Sequence, residues 1–147
     1  ISASHHPIYL SESLSLLNLH MAKSSFWMYR KIALKMKGSD AEQIAVSYLQ
    51  RRHLVLVTQN YRCRFGEIDL IMRDGSTLVF IEVRMRSHEK FGGAAASITS
   101  SKQTKILRTA RHYLAELNHE PPCRFDALLL SGINGQEIEW IRDAFGE

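Results

Sequence analysis

The stretch that most narrows what this chain can fold into is Phe65 to Arg86, F-G-E-I-D-L-I-M-R-D-G-S-T-L-V-F-I-E-V-R-M-R. Two apolar-rich runs flank Arg73-Asp74-Gly75-Ser76, and Asp-Gly between such runs is the strongest short-range signal for a hairpin. With Asp74 and Gly75 as the turn tip, Arg73 faces Ser76. Asp69 then lies opposite Phe80, Glu67 opposite Glu82 and Phe65 opposite Arg84. Directly paired residues point to the same side of a sheet. Glu67, Asp69, Glu82 and Arg84 are therefore expected on one face, with Asp69 and Glu82 on the diagonal. Leu78 to Val83 is otherwise an apolar run, as in a strand buried on both faces.

Acids in such a place demand compensation, since like charges across a ladder repel and a buried carboxylate is costly. A divalent cation supplies it. Mg²⁺ takes one or two carboxylates and leaves its other positions to water and phosphate oxygens. Two acids on neighbouring strands and a cation two residues on suit phosphodiester hydrolysis.

Asp69 followed by Glu82-Val83-Arg84 after a hairpin resembles the PD-(D/E)XK nuclease core. The longer string G-E-I-D-L-I, L-V-F-I-E-V-R, F-G-G-A-A-A-S, K-Q and R-F-D-A is similar to the YraN family of uncharacterised bacterial proteins. That family in turn resembles archaeal Holliday junction resolvases and the restriction-endonuclease fold. The resemblance spans residues 38–145. It implies an α/β fold with a restriction-endonuclease-like mixed five-stranded sheet flanked by helices. It also implies a Mg²⁺- or Mn²⁺-dependent endonuclease acting on nucleic acid, DNA in the first place, with Asp69, Glu82 and Arg84 at the chemistry. Asp69, Glu82 and Glu42 would hold the metal, with Glu67 as their outer partner. The nuclease motif usually has lysine where this chain has Arg84. Arginine cannot take up a proton, but it binds phosphate through two donors. The alternative is a non-catalytic nucleic-acid-binding protein that keeps the fold. Junction-cleaving relatives act as dimers, so a homodimer is the corresponding assembly.

The net charge of +4 is unevenly spread. Residues 1–37 hold five basic groups and one acid, and residues 51–115 hold 12 basic and 5 acidic groups. From Glu116 onward there are 2 basic and 7 acidic groups. A basic zone around an acidic centre suits a polyanion. Its candidate contacts are Arg62, Arg64, Arg86, Lys102, Lys105 and Arg108, against the bland reading of scattered surface charge.

Residues 1–20 read as an upstream extension without a folded role, because Met21-Ala22-Lys23 looks like a translation start. Residues 21–37 form a basic segment with interspersed aromatics, and residues 38–147 a single domain. Ser39-Asp40-Ala41-Glu42 has the form of a capping box opening a helix from Asp40 to about Arg52. That leaves Glu42 with two readings, as cap or metal ligand, which do not exclude each other. Leu54 to Asn60 is expected as a strand, followed by a loop Tyr61–Arg64. His88 and Phe91-Gly92-Gly93 fall in a looser connection beside the site. A second helix is expected from about Ser101 to Leu117, capped by Ser100 or Ser101, with Lys102, Lys105, Arg108 and His112 on one face. Strands follow at Arg124–Ser131 and Gln136–Ile141, around a Gly132–Gly135 turn. Asp126, within a strand, reads as structural. No apolar run approaches the roughly 20 residues of a membrane-spanning helix. Cys63 and Cys123 form no C-x-x-C pair, which points to a reducing, cytoplasmic setting.

Overall fold

The computed structural model describes residues 38–86, 98–132 and 135–146. The readings of residues 1–37, His88, Phe91-Gly92-Gly93 and the centre of the Gly132–Gly135 turn lie outside them.

Helix α1 spans Gly38–Gln50. Ala41, Ala45, Val46 and Leu49 are buried along one stripe, with Ile44 and Tyr48 beside them. This is the 3–4 residue spacing of a helix with one face in the core. The helix begins earlier than expected, so Ser39 sits inside its first turn and not at the cap. Glu42 does not reach back to close a capping box; its Oε2 accepts a 2.8 Å hydrogen bond from Asn60 Nδ2. The helix ends in a Schellman turn. His53 takes φ 70°, its amide donates to the Gln50 carbonyl, and the Leu54 amide donates to the Leu49 carbonyl. Leu54 and Leu49, both buried, pack in the same cluster.

Five strands follow: β1 Val55–Cys63, β2 Gly66–Asp74, β3 Thr77–Met85, β4 Cys123–Ser131 and β5 Glu137–Ile141. Helix α2, Ser100–Ala115, lies between β3 and β4. The strands lie in the order β1-β2-β3-β4-β5. β3 and β4 pair in parallel and every other neighbouring pair is antiparallel. The mixed five-stranded α/β architecture is as expected, and β3 is the buried central strand.

Three local expectations are corrected. The β2–β3 ladder pairs Asp74 with Thr77, Arg73 with Leu78 and Ile71 with Phe80. The turn tip is thus Gly75-Ser76, two positions off the expected register. Gly75 alone of the pair takes positive φ, 60°, the pattern of a turn that needs glycine only at its first central residue. Asp74 stays in the strand because Arg124 Nη2 holds its Oδ2 at 3.0 Å. Next, β1 continues through Cys63, so Tyr61–Cys63 is strand and not loop. Tyr61 pairs with Ile68 and Arg62 with Glu67, and the Tyr61 ring meets Tyr113 edge-on at 5.0 Å. Finally, α2 is capped by Thr99, whose hydroxyl accepts from the Lys102 amide at 3.2 Å.

The sheet has a core on each side. Against α1 lie Leu70, Met72, Val79, Ile81, Leu128 and Leu130. With Ile106 and Ala110 of α2 lie Ile68, Ile71, Leu78, Phe80 and Ala127. In β3 and β4 these assignments alternate, as the pleat requires. In β2 they do not: Ile68 and Ile71 are three apart yet share a core. The break falls at Asp69-Leu70, beside Asn60, which takes φ 52° on the neighbouring strand.

Candidate active site at the fork between β2 and β3

The break in β2 makes the site. The β2–β3 pairing runs from Asp74 and Thr77 as far as Leu70 and Ile81. Beyond that point β2 stays with β1 down to Gly66 and Cys63, while β3 stays with β4 up to Met85 and Leu130. The central strands therefore part, and Asp69 stands where they do. Its Oδ2 accepts a 2.8 Å hydrogen bond from the Val83 amide. Continuing the ladder's register past its last pair would set Asp69 opposite Glu82, not on the expected diagonal.

Glu82 is buried, 6% exposed. It lies on the α2 side of the sheet, and Lys102 Nζ stands 3.3 Å from its Oε2. That approach is close enough for an ion pair but out of alignment for a hydrogen bond, and among the described residues Oε2 is buried without one. Burial, then the charge on Glu82, pushes the Asp69 carboxyl up to about 7, against the pull of the Val83 amide and Lys102. Glu42 adds to the rise. Two acids thus share a poorly solvated space and repel each other at neutral pH.

The other expected site residues are distributed as follows. Glu67 turns instead to Arg62 of β1, with which it forms an ion pair, Oε2 to Nε 3.0 Å. Arg62, Glu42, Asn60 and Ser39 line an open cleft of about 430 Å³. Arg84 is half-buried on β3. Arg86 reaches Glu139 of β5 at 3.3 Å. Arg64 lies over the Phe65 ring, 4.7 Å from its centroid. Lys105 and Arg108 are exposed on α2. The β1–β2 hairpin end sits close to that helix: a Cβ on Gly66 would lie 3.2 Å from Thr109 Oγ1 and 3.6 Å from Lys105 Cβ.

Sequence reasoning passed over two participants. Asn60 aims its amide at Glu42, and its left-handed backbone is what asparagine tolerates better than most residues. Tyr61 hydroxyl meets His112 Nδ1 at 2.8 Å and donates to Glu116 at 3.3 Å. The pairing of those three depends on β1 extending past Asn60, which local pattern did not reveal.

Among the described residues, no three His, Cys, Asp or Glu side chains converge into a ready-made metal cage. The donors present nonetheless fit a hard divalent ion. They are carboxylate oxygens, one of them buried without a hydrogen bond. Mg²⁺ needs only one or two carboxylates from the protein.

Fold and site together define the class: an α/β protein with a mixed five-stranded sheet, consistent with a restriction-endonuclease-like fold, carrying an acid pair where its central strands diverge. More particularly, the chain belongs to the uncharacterised protein family UPF0102, the YraN family, whose model matches residues 41–130. A UPF0102 protein of Nitrosomonas europaea is 65% identical over 111 residues, covering 76% of this chain and 94% of the relative. One from Nitrosospira multiformis is 63% identical over 114 residues, covering 78% and 96%. One from Methylobacillus flagellatus is 56% identical over 112 residues, covering 76% and 98%. No helix among the described residues is long and apolar enough to cross a membrane.

Proposed function

We propose that this protein is a divalent-metal-dependent, nuclease-like protein that binds nucleic acid, DNA first, and hydrolyses its phosphodiester backbone. The observation that carries this is the buried, under-partnered Glu82 carboxylate beside Asp69. Asp69 and Glu82 would hold Mg²⁺ or Mn²⁺, with Glu42 closing from α1. Such an ion supplies Lewis-acid polarisation of a phosphate. The protein's own side chains do the rest. Lys105 and Arg108 of α2 and Arg64 of the hairpin draw in the polyanion. Arg84, always charged, is suited to hold phosphate oxygens through two donors. The Val83 amide fixes the orientation of Asp69. The two free cysteines suit a reducing cytoplasm. Paired cuts on two strands would call for a homodimer.

The test is cleavage of branched and single-stranded DNA with Mg²⁺ or Mn²⁺. Activity is expected, and Asp69→Ala and Glu82→Ala are each expected to abolish it. Arg84 in place of lysine favours a second reading: a nucleic-acid-binding protein without chemistry. That protein would bind DNA without divalent metal, at least as tightly in the two acid variants, and with affinity falling steeply as salt rises.

A further inference from the structure

Lys102 was expected to be one of several phosphate contacts on α2, yet it is the residue of that basic face whose ammonium sits at the acid pair. Its Nζ is 3.3 Å from Glu82 Oε2, and its charge also acts on Asp69. Three features make that seat a temporary one. The contact lacks hydrogen-bond alignment, so the buried oxygen is neutralised but not satisfied. The lysine side chain is 36% exposed where Glu82 is 7%, so the ammonium has a short path to water. Lys102 also lies in the first turn of α2, after the Thr99 cap, where a positive charge opposes the helix dipole and is held only by a counter-charge.

We propose that Lys102 is the built-in counter-ion of the Asp69–Glu82 pair, occupying the place of a divalent cation and leaving it when that cation binds. This rests on the divalent-ion reading of the site. In the empty site the ammonium keeps two close acids tolerable. When displaced it swings toward Lys105 and Arg108, one and two turns along the same helix, and adds a charge to the polyanion surface. Metal occupancy and phosphate attraction are coupled through one side chain: an anionic backbone favours the displaced lysine, and the displaced lysine favours the metal.

The experiment is calorimetric titration of the full chain with Mg²⁺ and Mn²⁺, comparing wild type with Lys102→Met and Lys105→Met. Removing the competitor is expected to tighten binding about tenfold in Lys102→Met, and much less in Lys105→Met, whose charge is lost from the neighbouring turn. In wild type, the lysine side-chain ammonium signal seen by nitrogen–proton NMR is expected to shift on adding Mg²⁺. Lys102→Gln serves if the methionine variant is poorly folded, and the NMR arm needs no variant. Equal gains in the Lys102 and Lys105 variants, an unchanged or weaker Lys102 variant, or an unmoved ammonium signal in metal-bound wild type would overturn this inference and leave the metal reading standing. No binding heat from any of the proteins would overturn both.

Discussion

Two buried acidic centres lie on adjoining strands of the same sheet, and they are built in opposite ways. Asp126 on β4 is completely buried. Its carboxylate accepts from Arg124 Nε at 2.9 Å, Trp140 Nε1 at 2.9 Å and the Asp143 amide at 2.9 Å. Arg124 is in turn shared with Asp74. Glu82 on β3 is nearly as buried, but among the described residues one oxygen has no hydrogen bond and its nearby cation is misaligned. The first centre is closed: it clasps the end of the β2–β3 hairpin to β4 and β5. The second is open and electrostatically uncomfortable. A buried carboxylate by itself says little about function; how far its acceptor sites are filled by the protein's own donors says much more.

The sharpest way to break this contrast is Asp126→Ala. It leaves Arg124 with Asp74 alone and strands two further donors, and is expected to cost about 3–5 kcal/mol in denaturant unfolding. A loss below about 1 kcal/mol would show that the network is not the clasp described. Asp69→Asn is expected to act in the opposite direction, stabilising the metal-free protein at pH 8 by on the order of 1–3 kcal/mol while abolishing cleavage. The sign follows from the raised carboxyl, about 7 in the folded chain against 3.8 for a free aspartate. The folded state keeps a proton that the unfolded state releases, so wild-type stability falls as pH climbs from about 4 to about 7 and then levels off. The asparagine variant lacks this decline, and melting curves across that range check it. Trp140→Phe removes one donor from the closed centre and is expected to cost about 1 kcal/mol. Smallest is Arg62→Ala. The Arg62–Glu67 pair is largely exposed on the arginine side, 72%, so stability is expected to move by no more than about 0.5 kcal/mol. Filter binding at low salt would show DNA affinity reduced severalfold.

Much of this architecture was legible because it depends on local pattern. The Asp-Gly signal between two apolar-rich runs placed β2 and β3, and helical spacing of Lys102, Lys105, Arg108 and His112 placed α2. The hairpin register was missed by two residues because Asp74 is held in its strand by Arg124, fifty residues later. Ser39 failed as a cap because the helix begins before it, and Glu42 found Asn60, a partner distant in sequence. Asp69 and Glu82 stood out in the sequence by their cost, since acids inside apolar strands demand explanation. The break in β2 beside them has no local signature; it lies against Asn60 on the next strand, whose φ is 52°. Asp126 was read as structural, and its donors bear that out.

The fork also has a mechanical meaning. Past Leu70 and Ile81, the tie between the central strands among the described residues is the bond from the Val83 amide to Asp69. One half of the sheet is paired to β1 and the other to β4, so that bond spans a seam between them. Opening it disrupts no ladder. Val83 should therefore trade its amide proton for deuterium well before Ile81 does, and the rate at which it does so times how often the two halves of the sheet gape.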